Sequence, residues 1–330
     1  MKSLLLLTSI LFSISLSGQN IIAVQQGGNA TFYSNIDSAI THSVNGDTIY
    51  LPGGSFSIAG AINKSIHIVG AGSDFIDSSL ATGITRLNGV WFDGGFDGGS
   101  IEGVSISPGL YNFSIIFGGY SNYNAITNFS VSRNYLQGGI KTLSSCSLFS
   151  INQNVISGAG SNNVIYAADG SISNSSIINN EILGVIVIGS NNYIGNNIFF
   201  YNGNSINALG CTIENNIFHS QESGGQNCIF NNNINASPYS YTGNIGANNF
   251  FDSWSNTFIN SNNSNYNLNP SSPGKNGGTD GTDIGIYGGS FSWKDGMVPS
   301  NPHIQTKNIS GVTDTNGNLH INIKVAAQDH

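Results

Sequence analysis

An all-β solenoid, a chain wound into stacked coils, is the fold class this sequence predicts, and three observations predict it. The first is a recurring phrase: an apolar residue, two free positions, an asparagine, one free position, another apolar residue. It reads Ile177 to Ile182 around Asn180, Ile194 to Phe199 around Asn197, and Ile213 to Phe218 around Asn216. It continues around Asn232 and Asn248, counted from Ile229 and Ile245, and runs upstream around Asn134 and Asn154. The steps between these asparagines are 20, 26, 17, 19, 16 and 16 residues. A unit of about 20 residues buries its apolar face only when neighbours stack on it, which is solenoid logic. The second observation is composition: 8% charged residues and 43 glycines, against ~25% charged in ordinary domains. Many tight corners want glycine and asparagine. The third is 39% apolar content set out periodically, which a disordered chain lacks.

The elements follow in order. Lys2, an apolar run from Leu4 to about Leu16, and the small residues Ser17 and Gly18 read as a cleaved secretory signal over residues 1–18. That run is too short for a membrane span, and no later stretch approaches one. Without Lys2, eight Lys and Arg face 17 Asp and Glu, about −9 (8 − 17). Nucleic acid is excluded as a partner, because phosphate neutralisation needs clustered cations. Ser34 as N-cap, acidic Asp37, and apolar Ile36 and Ile40 predict a short helix ending near Gly46. Such a helix would cover the open apolar end of the stack.

Asp47 to Leu51 alternates as a strand and closes on a Pro52-Gly53 turn. The tandem Phe92-Asp93-Gly94-Gly95 and Phe96-Asp97-Gly98-Gly99 predicts two turns before a strand from Ser100 to Ile106. Coils then run from about Tyr111 to Phe258, with an insertion at Ala159 to Ser173 accounting for the longest step. Past Pro299, Asn316-Gly317 signals a type I′ hairpin, and the alternation of Leu319, Ile321, Ile323 and Val325 gives it one buried face. The predicted organisation is thus a solenoid over residues 19–290 and a linker with a β-hairpin over 291–330.

Three cysteines are too few for a disulfide framework. Cys211 and Cys228 fall in adjacent coils, and a strand spacing of ~4.8 Å brings them within reach of a bond. In-register Cβ vectors point the same way, which favours a ladder of buried thiols instead.

Residues 32 to 56 and the asparagine-marked coils resemble the right-handed parallel β-helix family, often called pectin-lyase-like. Ser65 to Gly72 resembles that family's second coil. Tyr266 to Gly274 and Asp280 to Gly289 resemble the closing segment of its secreted bacterial members. The resemblance covers residues 30 to 290. It implies a right-handed parallel β-helix, here with an N-terminal capping helix and a C-terminal hairpin tail. It also implies that a catalytic member of pectate-lyase type would use Ca²⁺-binding acids on one sheet plus an Arg or Lys base. The family's architecture hosts many functions, so activity has to be argued from residues.

Those residues favour scaffold over chemistry. The seven asparagines (134, 154, 180, 197, 216, 232 and 248) are expected to stack as a ladder, each amide donating to one coil and accepting from the other. Glu181 and Glu214 are the weak candidates for a catalytic acid pair, but they lie two coils apart and at different places in the repeat. Arg133 is a weak candidate base. It sits one before Asn134, with no acid following until Asp169. Asp93 and Asp97, beside Trp91 and Phe96, could hold Ca²⁺ or frame a sugar, although turn structure explains both aspartates. Asp280 and Asp283 sit in a glycine-rich closing loop, where turns again suffice. His219, with Glu222 three residues on, has the setting of a structural histidine. Tyr120, Tyr123, Phe200, Tyr201, Tyr239 and Tyr241 are aromatics available for stacking on sugars.

The sequence therefore predicts a secreted or cell-surface protein that binds an extracellular polysaccharide or a cell-surface glycan without a required cofactor. The alternative is a polysaccharide lyase or glycoside hydrolase, supported by fold resemblance.

Overall fold

The computed structural model describes residues 21–73, 83–119, 124–160, 162–167, 171–220, 224–235, 243–261, 264–294, 296–299, 303–310 and 312–326. The secretory segment at 1–18, Tyr120, Tyr123, Asp169, Glu222, Tyr239 and Tyr241 lie outside the described residues.

Strands of two to six residues stack into three long sheets. The longest has twelve strands. It opens with an antiparallel pair, Ile22–Gln26 on Asn29–Tyr33, and Ile22–Gln26 also runs antiparallel to Thr48–Tyr50. Beyond that point its neighbours are parallel, from His67–Val69 through Ser130–Ser132 and Thr212–Glu214 to Ile245–Ala247. Each coil leaves this sheet at a corner, marked by an asparagine from Asn134 onward, and enters an eight-stranded sheet (Gly54–Phe56 to Ile217–Phe218). It then crosses a seven-stranded sheet (Val90–Phe92 to Gly224–Gln226) and returns. The result is a parallel β-helix, whose right-handed winding is the sense that crossovers between parallel strands take.

The strands form where a single apolar residue stands between two polar ones, as in Ser130-Val131-Ser132 and Ser150-Ile151-Asn152. Period two sends the middle residue inward. Ile49, Ile68, Ile101, Val131, Ile151, Ile177, Ile194, Ile213 and Phe230 thereby form one in-register column, fully buried. Each contributes roughly 2–3 kcal/mol of apolar burial. Aromatic rings stack between coils in the same way, Phe92 on Phe117 at 5.4 Å and Phe199 on Phe218 at 4.8 Å.

The corner asparagines do form a ladder, with a correction at its C-terminal end. Nδ2 donates to the Oδ1 of the next coil at 2.9–3.1 Å through Asn134, Asn154, Asn180, Asn197, Asn216, Asn233 and Asn249. Asn232 and Asn248 are not rungs. The phrase was counted there from Ile229 and Ile245, which are 40% and 60% exposed; the paired inward positions are Phe230 and Gly246. A one-residue slip exchanges the two faces of a strand. Asn232 and Asn248 instead share the left-handed position before each rung, with Arg133, Gln153, Asn179, Asn196 and Asn215, at φ between 51 and 58°. That position, and not the rung, turns the corner.

Three other expectations are corrected. Helix α1 (Ile36–His42) is capped by Asn35, whose side chain accepts from the Ser38 amide at 3.0 Å, and not by Ser34; Ile36 and Ala39 join the main core. The segment Ala159 to Ser173 does carry extra residues of the longest step, since nine positions separate Ile156 from Ile165 where four separate their partners Leu136 and Ile140. It supplies Asn163–Tyr166 to the seven-stranded sheet and Ser171–Ser173 to an extra three-stranded one. The tail pairs His303–Ile309 antiparallel with Ile321–Ala326, but only Gly317 of the Asn-Gly pair has positive φ, whereas a type I′ turn needs both. Its expected buried face is exposed: Leu319, Ile321, Ile323 and Val325 are 47–57% accessible.

After α2 (Trp254–Thr257) and the antiparallel pair Phe258–Asn260 and Asn265–Leu268, the chain turns back along the corner as a strap. The left-handed column holds it, one coil at a time. Asn232 donates to Gly277 O, Asn215 to Thr279, and Asn196 to Asp283 O and Gly285 O. Asn179 follows on Ile286 O and Gly288 O, Gln153 on Phe291 O and Ser292 O, and Arg133 on Val298 O. Beneath the strap lies a second core, where Ile198, Ile217 and Ile234 meet Phe258, Leu268, Ile284 and Ile286.

Candidate binding cleft

The outward face of the seven-stranded sheet carries a row in register: Trp91, Ile116, Lys141, Tyr166, Val187, Asn207. Their neighbours in each strand face the core, so the row is what each coil turns outward on this side, with Ile116 covered by its neighbours. Seven strands at ~4.8 Å give a face about 29 Å long. Phe113, Ile116 and Leu143 form a small buried cluster on it, with Trp91 and Tyr166 packed at its edges.

A cavity lies at each end of the row. The first, of about 310 Å³, is lined chiefly by Ile58, Ala59, Ala61, Trp91, Leu110 and Phe113. The Trp91 indole N–H donates to Gly118 O at 2.7 Å, which fixes the ring and uses its one donor. The second, of about 510 Å³, is lined by Asn163, Tyr166, Val187, Asn204, Asn207 and Gln226 among others. Between the two, the Lys141 ammonium lies 5.5, 5.8 and 5.5 Å from the ring centres of Tyr111, Phe113 and Tyr166. Phe113 and Tyr166 stack at 6.3 Å, and Tyr111 and Asn112 both take positive φ in the loop that brings them there. Tyr201 stands near the second cavity, its hydroxyl accepting from Asn162 Nδ2 at 3.2 Å. The assembly offers ring faces at one end and amides at the other.

The remaining candidates are placed elsewhere. Arg133 is buried on the corner, where Nε donates to Gln153 Oε1 at 2.6 Å and Nη1 lies 3.2 Å from Glu102 Oε1. Burial lowers its pKa, and Glu102 opposes that shift. It serves the strap and lines neither of the two cavities. Glu181 faces outward from the eight-stranded sheet and Glu214 from the longest one, so no acid pair forms. Glu214 accepts from Asn231 Nδ2 at 2.9 Å. Glu181 lies near Tyr266, whose hydroxyl is pushed up by burial and then by that carboxylate.

The aspartates close turns. Asp97 Oδ1 accepts from both Thr127 and Asn128 at 2.5 Å, in that order the causes of its lowered pKa. Asp93 accepts from the Gly94 amide at 2.7 Å, and Phe96 packs on Phe92 and Phe129 at the core's edge. Asp280 caps Thr282, while Asp283 meets Lys275 at 2.6 Å. His219 lies edge-on to Trp254. Among the described residues no group of three or more His, Cys, Asp or Glu is placed to hold a metal ion.

The cysteines are free and buried. Cys211 and Cys228 continue a second ladder at the entry to the longest sheet, with Ser175, Asn192 and Asn244. The Ser175 amide donates to Asn192 Oδ1, the Cys211 amide to Cys228 Sγ at 3.3 Å, and the Cys228 amide to Asn244 Oδ1. Burial pushes Cys146 up to about 12. Because all three thiols are buried, alkylation without reductant should leave the native protein unlabelled, and three should react after unfolding. A count of one after unfolding would show that Cys211 and Cys228 had bonded.

Sequence reasoning missed two functional features. The cage around Lys141 needs residues from three coils that no local motif joins. The strap had a readable signal: a polar side chain stands just before every rung. Compared with known proteins, the chain matches no protein-family model and no curated relative at significance. Fold and site define it as a parallel β-helix with a lengthwise cleft on one sheet.

Proposed function

We propose that this is a secreted or cell-surface β-helix of pectin-lyase-like kind that binds an extracellular polysaccharide or cell-surface glycan without cleaving it. One observation carries the reading: the row from Trp91 to Asn207 joins two cavities whose lining contains rings and amides and no carboxylate. Ring faces pack on the C–H faces of sugars, and amides both donate to and accept from hydroxyls. Hydrolysis would need two carboxyls ~5 to 9.5 Å apart across the scissile bond, and the sheet bearing the cleft supplies none to its lining.

The purified protein, incubated with a panel of polysaccharides with and without Ca²⁺, should retain at least one of them and release no product. Unsaturated or new reducing ends would overturn the proposal. Tyr166→Ala and Asn207→Ala should each weaken retention about tenfold, the size of one lost stacking or bidentate contact. Unchanged retention in both variants would move the site away from this face.

A further inference from the structure

The two ends of the cleft differ in what they can satisfy. In the Trp91 cavity the only polar side chain is Asn88, and it already accepts from Ser107 Oγ at 3.2 Å. Trp91 has its donor committed to Gly118 O. Ile58, Ala59, Ala61, Leu110 and Phe113 complete an apolar wall. A sugar ring carrying only hydroxyls would lose hydration there with few side-chain partners to replace it, which is unfavourable. A ring carrying a methyl-terminated substituent gains from the same wall.

Charge narrows the class further. Neither cavity is lined by a charged side chain, and the chain is acidic overall, with 9 Lys and Arg against 17 Asp and Glu. An anionic sugar finds no cation in either lining, the Lys141 ammonium between them lying against the rings of Tyr111, Phe113 and Tyr166, and meets an acidic chain overall. A free amino sugar finds no carboxylate to pair with in the lining. Acylation of an amine or a hydroxyl leaves a neutral group with an apolar end, and that group complements this cavity.

We infer that the Trp91 end of the cleft is a subsite for an acyl-substituted neutral sugar, one bearing an N-acetyl or O-acetyl group. The inference rests on the glycan-binding reading above and adds the substituent that the cleft selects. The amide-lined cavity takes unsubstituted units of the same chain, through Asn204, Asn207 and Gln226. The acyl methyl lies against the Trp91 ring and the two alanines.

Titration calorimetry on the full chain tests it with two matched pairs: O-acetylated glucomannan oligosaccharides before and after alkaline de-O-acetylation, and chitin oligosaccharides before and after N-deacetylation. The N-acetyl pair is measured at high salt, so that the acidic chain does not attract the free amine. The acetylated member of at least one pair should bind about five- to tenfold tighter, the effect of burying one methyl and its ring contact. The pair that discriminates tells N-acetyl from O-acetyl.

Ala61 is exposed at the cavity rim, so Ala61→Glu keeps the core intact. It should bring the acetylated ligand down to the affinity of its deacetylated partner, and Trp91→Ala should do the same. Equal affinity within each pair, with retention still dependent on Asn207, would overturn the acyl subsite and leave the glycan-binding reading standing. A preference that survives Ala61→Glu would place it elsewhere and overturn the subsite too. No measurable binding of any member would overturn the acyl subsite, and no retention of any polysaccharide in the panel would overturn both.

Discussion

Replacing Asn216 by alanine should lower stability by about 3–5 kcal/mol, a large part of the ~5–15 kcal/mol that holds a typical domain. The Asn216 side chain makes five contacts, with the coil on either side and with its own strand end. Its Oδ1 accepts from the Asn197 amide at 2.9 Å and from Asn197 Nδ2 at 3.0 Å. Its Nδ2 donates to Ile194 O, Glu214 O and Asn233 Oδ1. Alanine leaves a buried N–H and two buried carbonyls without these partners, at roughly 1–3 kcal/mol for each group left orphaned. Aspartate should be no better, since it cannot donate to those carbonyls and brings a charge into a position with no exposure.

Chemical denaturation monitored by far-UV circular dichroism measures the loss, with the wild type and an exposed-site control such as Ser255→Ala alongside. Because the damage sits in the corner between two sheets, glycan retention by the folded fraction should be unaltered. A variant of unchanged stability that no longer bound glycan would sink the assignment of these asparagines to the scaffold.

The same residues show what a reader of the sequence can and cannot recover. The column of apolar centres was legible because one isoleucine between two polar residues is a strand with a single buried face, repeated at coil length. The ladder was legible as far as Asn216 and lost one residue beyond it. At Ile229-Phe230 two apolar residues are adjacent, and spacing alone does not say which faces inward; the structure turns Phe230 in. The tail's pairing was legible, but the alternation that predicts an apolar face carries no information about what covers it. The cleft was half legible. Trp91 lines one of the two cavities and Tyr201 lines neither, while Asp93, Phe96 and Asp97, chosen for their proximity to Trp91 in sequence, close a turn and pack on the core. Adjacency along a strand places alternate residues on opposite faces, and only stacking across coils selects the residues that share one.

The second large effect concerns the strap. Ile198 and Ile217 point away from the main core, yet both are fully buried, because Ile284 and Ile286 lie over them. Two apolar residues in succession, Ile198-Phe199 and Ile217-Phe218, supply one side chain to each of two cores. Ile284→Asp should break the outer core without reaching the inner one. A carboxylate at a position 1% exposed costs several kcal/mol unless the segment moves out to hydrate it. The strap can move, because each coil holds it by one to three hydrogen bonds made by the left-handed column.

The expected result is therefore local: the segment from Lys275 to Val298 becomes cleavable by protease, while circular dichroism of the solenoid persists. Hydrogen exchange should rise across the strap and at the outer face of Ile198 and Ile217, and remain slow at Ile151 and Ile177. Exposure of that apolar column should also make the variant self-associate, read as a concentration-dependent shift in light scattering. A strap that stayed protected, or a solenoid that unfolded together with it, would show that the two cores form one cooperative unit, and the strap could not then be treated as a separable element laid on a finished helix.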